Sequence, residues 1–229
     1  MSAHRPDLFL FDLHGTTVSD DGQLHVAVQR VIVEAQLEAP REWLAQRVAW
    51  RKRELFETLL MLNDRAPTEA EGLVERFEAH YADACTERPL RPMPGAQEAL
   101  DALEYAGVQV GFVSGSPRSA IDRVLDELCW GVFSSLSTDE VPRGRPEPDV
   151  VRAAMQQAGV HDARDVGVCG NTSAQLEAGN AAGSRYVIGI PRPAGTDTVI
   201  IAPHTHLIET LADLPGIVLG GEEPVRRGL

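Results

Sequence analysis

Cysteine is scarce in this sequence: Cys85, Cys129 and Cys169 are the only three, and neither their odd number nor their spacing suits a disulfide framework or a zinc site. A reducing, cytoplasmic setting is therefore expected. Long hydrophobic runs are missing too, since none approaches the roughly 20 residues that a membrane span requires. The opening MSAHRPDLFLFD has no extended apolar stretch ahead of a cleavage site, so neither an export signal nor a membrane anchor is expected. Positive charge is in short supply, with 21 Lys and Arg against 34 Asp and Glu and a net charge of -13. Such a field repels nucleic acid and anionic membrane surfaces, and neither is expected as a partner. An anionic ligand would have to be held by a local basic patch. Internal repeats are absent.

What is present is material for one well-packed core: 229 residues, 43% hydrophobic and 24% charged, with room for a smaller second lobe. Leu8 to Phe11 is a short continuous apolar run that ends at Asp12 and enters a loop at Gly15, the pattern of a buried parallel strand. Similar runs cover Val108 to Val113, Val132 to Leu136, Val166 to Val168 and Tyr186 to Ile190. Helical patterns lie between them, over Gln97 to Tyr105, Ser119 to Leu128, Asp149 to Ala158 and Ala174 to Ala182. Strands alternating with helices predict an α/β fold with a doubly wound, Rossmann-like parallel sheet. From about Leu24 to Arg88 the alternation stops and only helical periodicity remains, which reads as a helical insert. The stretch TERPLRPMP, Thr86 to Pro94, marks the return to the sheet. The expected organisation is a core made of residues 1–20 and 91–229, with residues 21–90 inserted after the first strand. The tail after Leu219 is expected to fray.

In open α/β sheets ligands bind beyond the carboxyl ends of the strands, so Asp12, Ser114 with Gly115, Arg145 and Asn171 should converge on one crevice. On their own, the residues leave plain readings open: Asp12 as a turn cap, Ser114 and Gly115 as ordinary loop residues, Arg145 as a solvated loop cation. Four segments resemble the motifs of the haloacid dehalogenase superfamily: FLFDLHGTT the first, GFVSGS the second, GRPEP the third and VCGNTSAQLEAG the fourth. GTTV after the first motif and GRPEP in the third are most similar to the phosphonatase-like branch. The resemblance implies that Asp12 is a nucleophile forming a covalent aspartyl intermediate. It also implies that Thr16, Ser114 and Gly115 bind phosphoryl oxygens and that Arg145 offsets their charge. Arg118, in SPRS at the start of a helix, is a further anion-binding candidate. The insert then resembles the family's cap.

If Val48 to Leu62 is one helix, Lys52 shares its apolar face with Val48, Ala49, Leu55, Phe56 and Leu59. An inward Lys is uncommon unless paired or functional. The phosphonatase branch has a cap Lys that forms a Schiff base with an aldehyde substrate, and Lys52 in WRKRE resembles it. The other reading is a Lys that snorkels to water or pairs with Glu54 or Glu57. Trp43, Trp50 and Phe56 are candidates for setting specificity.

Two departures from the family stand out. His14 occupies the position two residues after the nucleophile where phosphatases of the superfamily carry an acid/base Asp; it either moves protons itself or fills the loop. In the fourth motif Asn171 and Gln175 stand where two Asp residues bind or orient Mg2+. Asp12, His14 and Asn171 remain as metal candidates, and with so little negative charge Mg2+ is expected to bind weakly or not at all. Three readings stay open: a phosphonatase-like hydrolase acting on a small phosphonate or phosphorylated metabolite, a metal-independent enzyme in which Asp12 attacks carbon, and an inactive binding protein. The expected partner is a small anionic metabolite, and the insert's apolar faces suit packing within the cap or a homodimer through it.

Overall fold

Side chains alternate along β1 (Leu8–Asp12): Leu8 and Leu10 enter one hydrophobic cluster, Phe9 and Phe11 another, and all four are at most 1% exposed. A strand buried on both faces is the centre of a sheet. In the computed structural model, which describes residues 5–19, 21–45, 47, 50–191, 200–220 and 224–225, β1 pairs in parallel with β2 (Gln109–Ser114) and β4 (Val166–Gly170). Outward from these lie β3 (Ser134–Ser137) on one side, and β5 (Tyr186–Gly189) and β6 (His206–Leu207) on the other. The order β3-β2-β1-β4-β5-β6 is all parallel, so the expected doubly wound α/β sheet is the observed one.

Between β1 and β2 come α1 (Gln23–Glu34), α2 (Arg41–Ala45), α3 (Lys52–Leu62), α4 (Ala70–Glu87) and α5 (Ala96–Tyr105). The remaining helices are α6 (Arg118–Glu127), α7 (Asp149–Ala158), α8 (Ser173–Ala182) and α9 (Leu214–Leu219). Apolar residues of α5, α6 and α9 join Phe9 and Phe11, whereas those of α7 and α8 join Leu8 and Leu10, so helices cover both faces. Gly179 lets α8 approach β4, because a Cβ there would stand 2.3 Å from Cγ2 of Val168.

Within residues 21–90, α1 buries Leu24, Ala27, Val28, Val31 and Ile32 and packs along α4, which presents Ala70, Leu73, Phe77, Tyr81 and Cys85. α3 adds Leu55, Phe56, Leu59 and Leu60. These residues are continuous with the Phe9 and Phe11 cluster, so helices and sheet share one core.

Several expectations need correction. The third strand begins at Ser134, not Val132, which is 81% exposed and cannot belong to a buried strand. The helix expected from Val48 begins at Lys52; Val48 and Ala49 lie outside the described residues, as do Gly221 and Arg226 to Gly228 of the tail. β6 and α9 were not expected at all. No helix among the described residues is long and apolar enough to cross a membrane.

Candidate functional site

β1 lies where the strand order reverses, and the loop that leaves it folds tightly onto its end. The amides of Thr16, Thr17 and Val18 all donate to the carbonyl of Leu13, and Gly15 takes φ +75° so that its own amide reaches Val18 O at 2.7 Å. Thr17 Oγ1 donates to the carbonyl of Asp12 at 3.0 Å. These bonds fix the Asp12 side chain, 6% exposed, beyond the sheet. Arg145 Nη1 donates to Asp12 Oδ1 at 2.8 Å, and Thr16 Oγ1 lies 3.5 Å from Oδ2. Arg145, in the loop before α7, is thus brought to Asp12 across 133 residues of chain.

The other face of the loop meets α4. His14 Nε2 is 2.6 Å from Tyr81 Oη, with the rings edge to face at 5.6 Å, and His14 is 6% exposed. His14 therefore fills a specific contact, which its sequence position did not reveal. Tyr81 was missed, although its place on the apolar stripe of α4 marks it as inward-facing. The carbonyl of His14 accepts a hydrogen bond from Asn171 Nδ2 at 3.3 Å. Asn171 Oδ1 and both amide atoms of Gln175 are buried without a hydrogen-bond partner among the described residues. Gly170 makes room for this amide: a Cβ there would stand 2.4 Å from Gln175 Cγ and 3.6 Å from Asp12 Cβ.

At the end of β2, Ser114 Oγ accepts the Ser116 amide at 3.2 Å, which leaves its hydroxyl proton to be donated; Gly115 is buried beside it. Arg118 is a different matter. Its guanidinium is taken up by Glu140, by Asp122, and by Ser135 Oγ at 2.8 Å and Ser135 O at 3.1 Å. Burial opposes its charge, but Glu140 and Asp122 outweigh this and hold its pKa above the ordinary value. Arg118 therefore secures α6 to the end of β3, and the structure does not join it to Asp12.

Lys52 opens α3 and is wholly buried, so it does not snorkel to solvent. Its Nζ donates to the Trp50 carbonyl at 2.9 Å and lies 5.3 Å from the centre of the Phe77 ring. Arg51 Nη2 donates to Val141 O at 2.7 Å, and its Nε lies 3.2 Å from Asp139 Oδ1, an ion-pair contact without hydrogen-bond alignment. Burial pushes the Asp139 carboxyl pKa up, and Arg51, Lys52 and Arg53 pull against that. Asp139 was another residue missed from sequence. It sits in a turn fixed by a capping box, with Ser137 N donating to Glu140 and Asp139 N to Ser137 Oγ. A cleft of about 310 Å³ opens here, edged by Arg51, Arg53, Pro117, Arg118 and Asp139.

Of the specificity candidates, Phe56 is wholly buried against Phe77 and belongs to the interior. Trp43 and Trp50 flank the Arg47 guanidinium at 4.9 and 5.0 Å. Cys169, beneath Asp12 on β4, has its thiol pKa pushed far up by burial and by the Asp12 charge, which keeps it neutral and unreactive. No cluster of three or more His, Cys, Asp or Glu suited to a metal ion exists among the described residues.

Comparison with known proteins gives the family of the chain. A family model described as haloacid dehalogenase-like hydrolase matches residues 6–183. The chain is 28% identical over 189 residues to a phosphoglycolate phosphatase of Pseudomonas fluorescens, covering 80% of this chain and 68% of that protein. It is 27% identical over 194 residues to a phosphonoacetaldehyde hydrolase of Bordetella pertussis, covering 72% and 69%. Among solved structures, a phosphonoacetaldehyde hydrolase-like protein of Oleispira antarctica superposes with a TM-score of 0.77 at 18% identity, covering 97% of both chains. CbbY of Rhodobacter sphaeroides in complex with phosphate gives 0.76 at 18% identity, covering 91% and 96%. With its family model matched over most of its length, the chain belongs to the haloacid dehalogenase-like hydrolases and is a hydrolase.

Proposed function

We propose that this hydrolase cleaves a carbon–phosphorus or oxygen–phosphorus bond in a small phosphonate or phosphorylated metabolite, with Asp12 as nucleophile. The observation that carries the reading is the buried Asp12 and Arg145 pair at the carboxyl end of β1. Arg145 orients the carboxylate and supplies positive charge for an incoming phosphoryl group, whose oxygens would also meet the Ser114 hydroxyl, the Gly115 amide and Thr16. Asp12 Oδ2 attacks phosphorus, the bond to the leaving group breaks, and an aspartyl phosphate results; water then hydrolyses it to phosphate and free Asp12.

For a phosphonoaldehyde, Lys52 Nζ condenses with the aldehyde, releasing water and forming an imine that accepts the electron pair of the breaking carbon–phosphorus bond. The resulting enamine takes up a proton, and hydrolysis returns the aldehyde product and Lys52. Burial of Lys52 next to Asp139 and likeness to phosphonoacetaldehyde hydrolases support this route, while likeness to phosphoglycolate phosphatases supports ester hydrolysis at the same Asp12. In this reading His14, held by Tyr81, passes protons during turnover. Residues 21–90 serve as the cap that brings Lys52 and Tyr81 to the sheet.

The residues present do not suit tightly bound Mg2+, the ion usual in this family. Asp12 is the one carboxylate at the expected positions, and Arg145 already neutralises it. Asn171 turns its NH2 toward the His14 carbonyl, and Gln175 brings no charge. The same neutrality favours a second reading, metal-independent attack of Asp12 on the carbon of a haloacid.

Release of phosphate from phosphonoacetaldehyde and phosphoglycolate, and of halide from a 2-haloacid, separates these readings. Borohydride added during phosphonoacetaldehyde turnover should inactivate the enzyme and leave the adduct on Lys52. Halide release without phosphate release, or an unmodified Lys52, would reject the phosphonatase route.

A further inference from the structure

The amide side chains beside Asp12 define a site of their own. We infer that Asn171 and Gln175 hold a neutral hydrogen-bonding molecule, a water, where a metal ion would otherwise sit, and that Arg145 supplies the compensating charge from the protein itself. The inference rests on the assignment of Asp12 as the reactive carboxylate.

Three buried polar atoms carry it. Asn171 Oδ1, Gln175 Oε1 and Gln175 Nε2 have no hydrogen-bond partner among the described residues, and the two side chains are 1% and 0% exposed. A buried polar atom without a hydrogen bond costs about 1–3 kcal/mol, so three such atoms on two side chains of the loop and helix that follow Gly170 call for a ligand. Their position is set by Asn171 Nδ2, which donates to the His14 carbonyl, and by Gly170, over which Gln175 Cγ and Asp12 Cβ both pass.

The chemistry of the three atoms selects the ligand. Two amide oxygens accept and one amide nitrogen donates. Water matches this set, donating to both oxygens and accepting from the N–H. An anion would face two acceptor oxygens. A divalent cation would face the N–H of Gln175 and only one carboxylate, whose Oδ1 already accepts from Arg145 at 2.8 Å. The formal charges of Asp12 and Arg145 cancel, so a divalent ion would keep both its charges uncompensated at a site almost closed to solvent.

Anion binding should therefore be indifferent to divalent ions. Isothermal titration of the full chain with inorganic phosphate, in EDTA and then in excess Mg2+, is expected to give dissociation constants within about twofold of each other. The variant Asn171→Asp/Gln175→Asp should bind phosphate at least about tenfold more weakly in EDTA and recover with Mg2+. Mg2+ titrated alone should give saturable heat with the variant and none with the wild type, which decides the matter even without the phosphate arm. Should the double variant fail to fold by circular dichroism, Asn171→Asp and the wild-type Mg2+ titration serve instead. Saturable Mg2+ binding by the wild type, or tenfold tighter phosphate binding in Mg2+, overturns the inference. The two proposals fail separately: turnover that requires Mg2+ removes this one and leaves Asp12 as nucleophile, whereas metal-indifferent phosphate binding without turnover of any substrate does the reverse.

Discussion

Asp12 and Arg145 are charges taken almost wholly out of water, with side chains 9% and 8% exposed. Each tolerates burial because of the other, so removing one partner strands the second. Arg145→Met should lower unfolding free energy by about 3–5 kcal/mol, and the double variant Asp12→Asn/Arg145→Met by clearly less than the sum of the Asp12→Asn and Arg145→Met changes. Urea unfolding of the four proteins measures this coupling; strict additivity would show that the pair is not a stabilising unit. With Asp12 as the proposed nucleophile, Asp12→Asn on its own should reduce turnover by about 10⁴-fold or more. The cysteines offer a further residue-scale check. Cys129 is exposed while Cys85 and Cys169 are buried, so iodoacetamide should modify Cys129 alone in the folded protein and all three in urea. At this scale sequence reading succeeded by residue type and position: Asp12 at a strand end, Lys52 on an apolar face. It failed on partners. Nothing local to Arg118 announces Glu140 and Ser135, and nothing local to His14 announces Tyr81, 67 residues away. Such pairings are set by how elements dock, which periodicity does not encode.

The turn after β3 shows how an element carries electrostatics into the site. Its capping box holds Asp139 in place, a third of its side chain still open to solvent, facing Arg51 and Lys52 at the start of α3. Because the folded pKa of Asp139 is raised, the folded state holds the proton more tightly than the unfolded chain. The contribution of Asp139 to stability is then full below the ordinary Asp value of about 4 and is lost as pH rises through the raised folded value. Asp139→Asn mimics the protonated form at every pH. The difference in Tm, variant minus wild type, should therefore become more positive as pH rises from about 4 to 7. A difference that stays flat or turns negative over this range would show that the cations dominate after all. The elements themselves were read with uneven success for a physical reason. β1 and β4 are buried on both faces and give continuous apolar runs, and α7 gave its boundaries as read. β6 has two residues at the sheet edge and α9 has six, too short for a period to register. Val132 misled because an exposed Val beside a strand looks like part of it.

For the whole molecule the dominant quantity is the charge of -13, which the proposed small anionic substrate would meet before any local contact. The basic residues at the cleft do not reverse it, because Arg51 is engaged by Glu54 and Asp139, Arg53 by Glu71, and Arg118 by Glu140 and Asp122. Approach is thus opposed by the long-range field and rewarded only within contact distance of Arg145, where the site is nearly closed to solvent. Salt weakens the first effect far more than the second: the screening length falls from about 30 Å at 0.01 M to about 8 Å at 0.15 M, while buried contacts are little screened. Hence kcat/KM for a phosphorylated or phosphonate substrate should rise, by about two- to fivefold, as NaCl is raised from about 0.01 to 0.15 M. The change should appear in KM with kcat steady, since Asp12 is buried where salt screens little. An enzyme steered by a basic entrance gives the opposite slope, so a fall in kcat/KM with salt would mean that the paired arginines release their carboxylates and face the substrate. Sulfate in place of chloride should blunt the rise, because a divalent anion competes for Arg145 and the Ser114 hydroxyl while it screens.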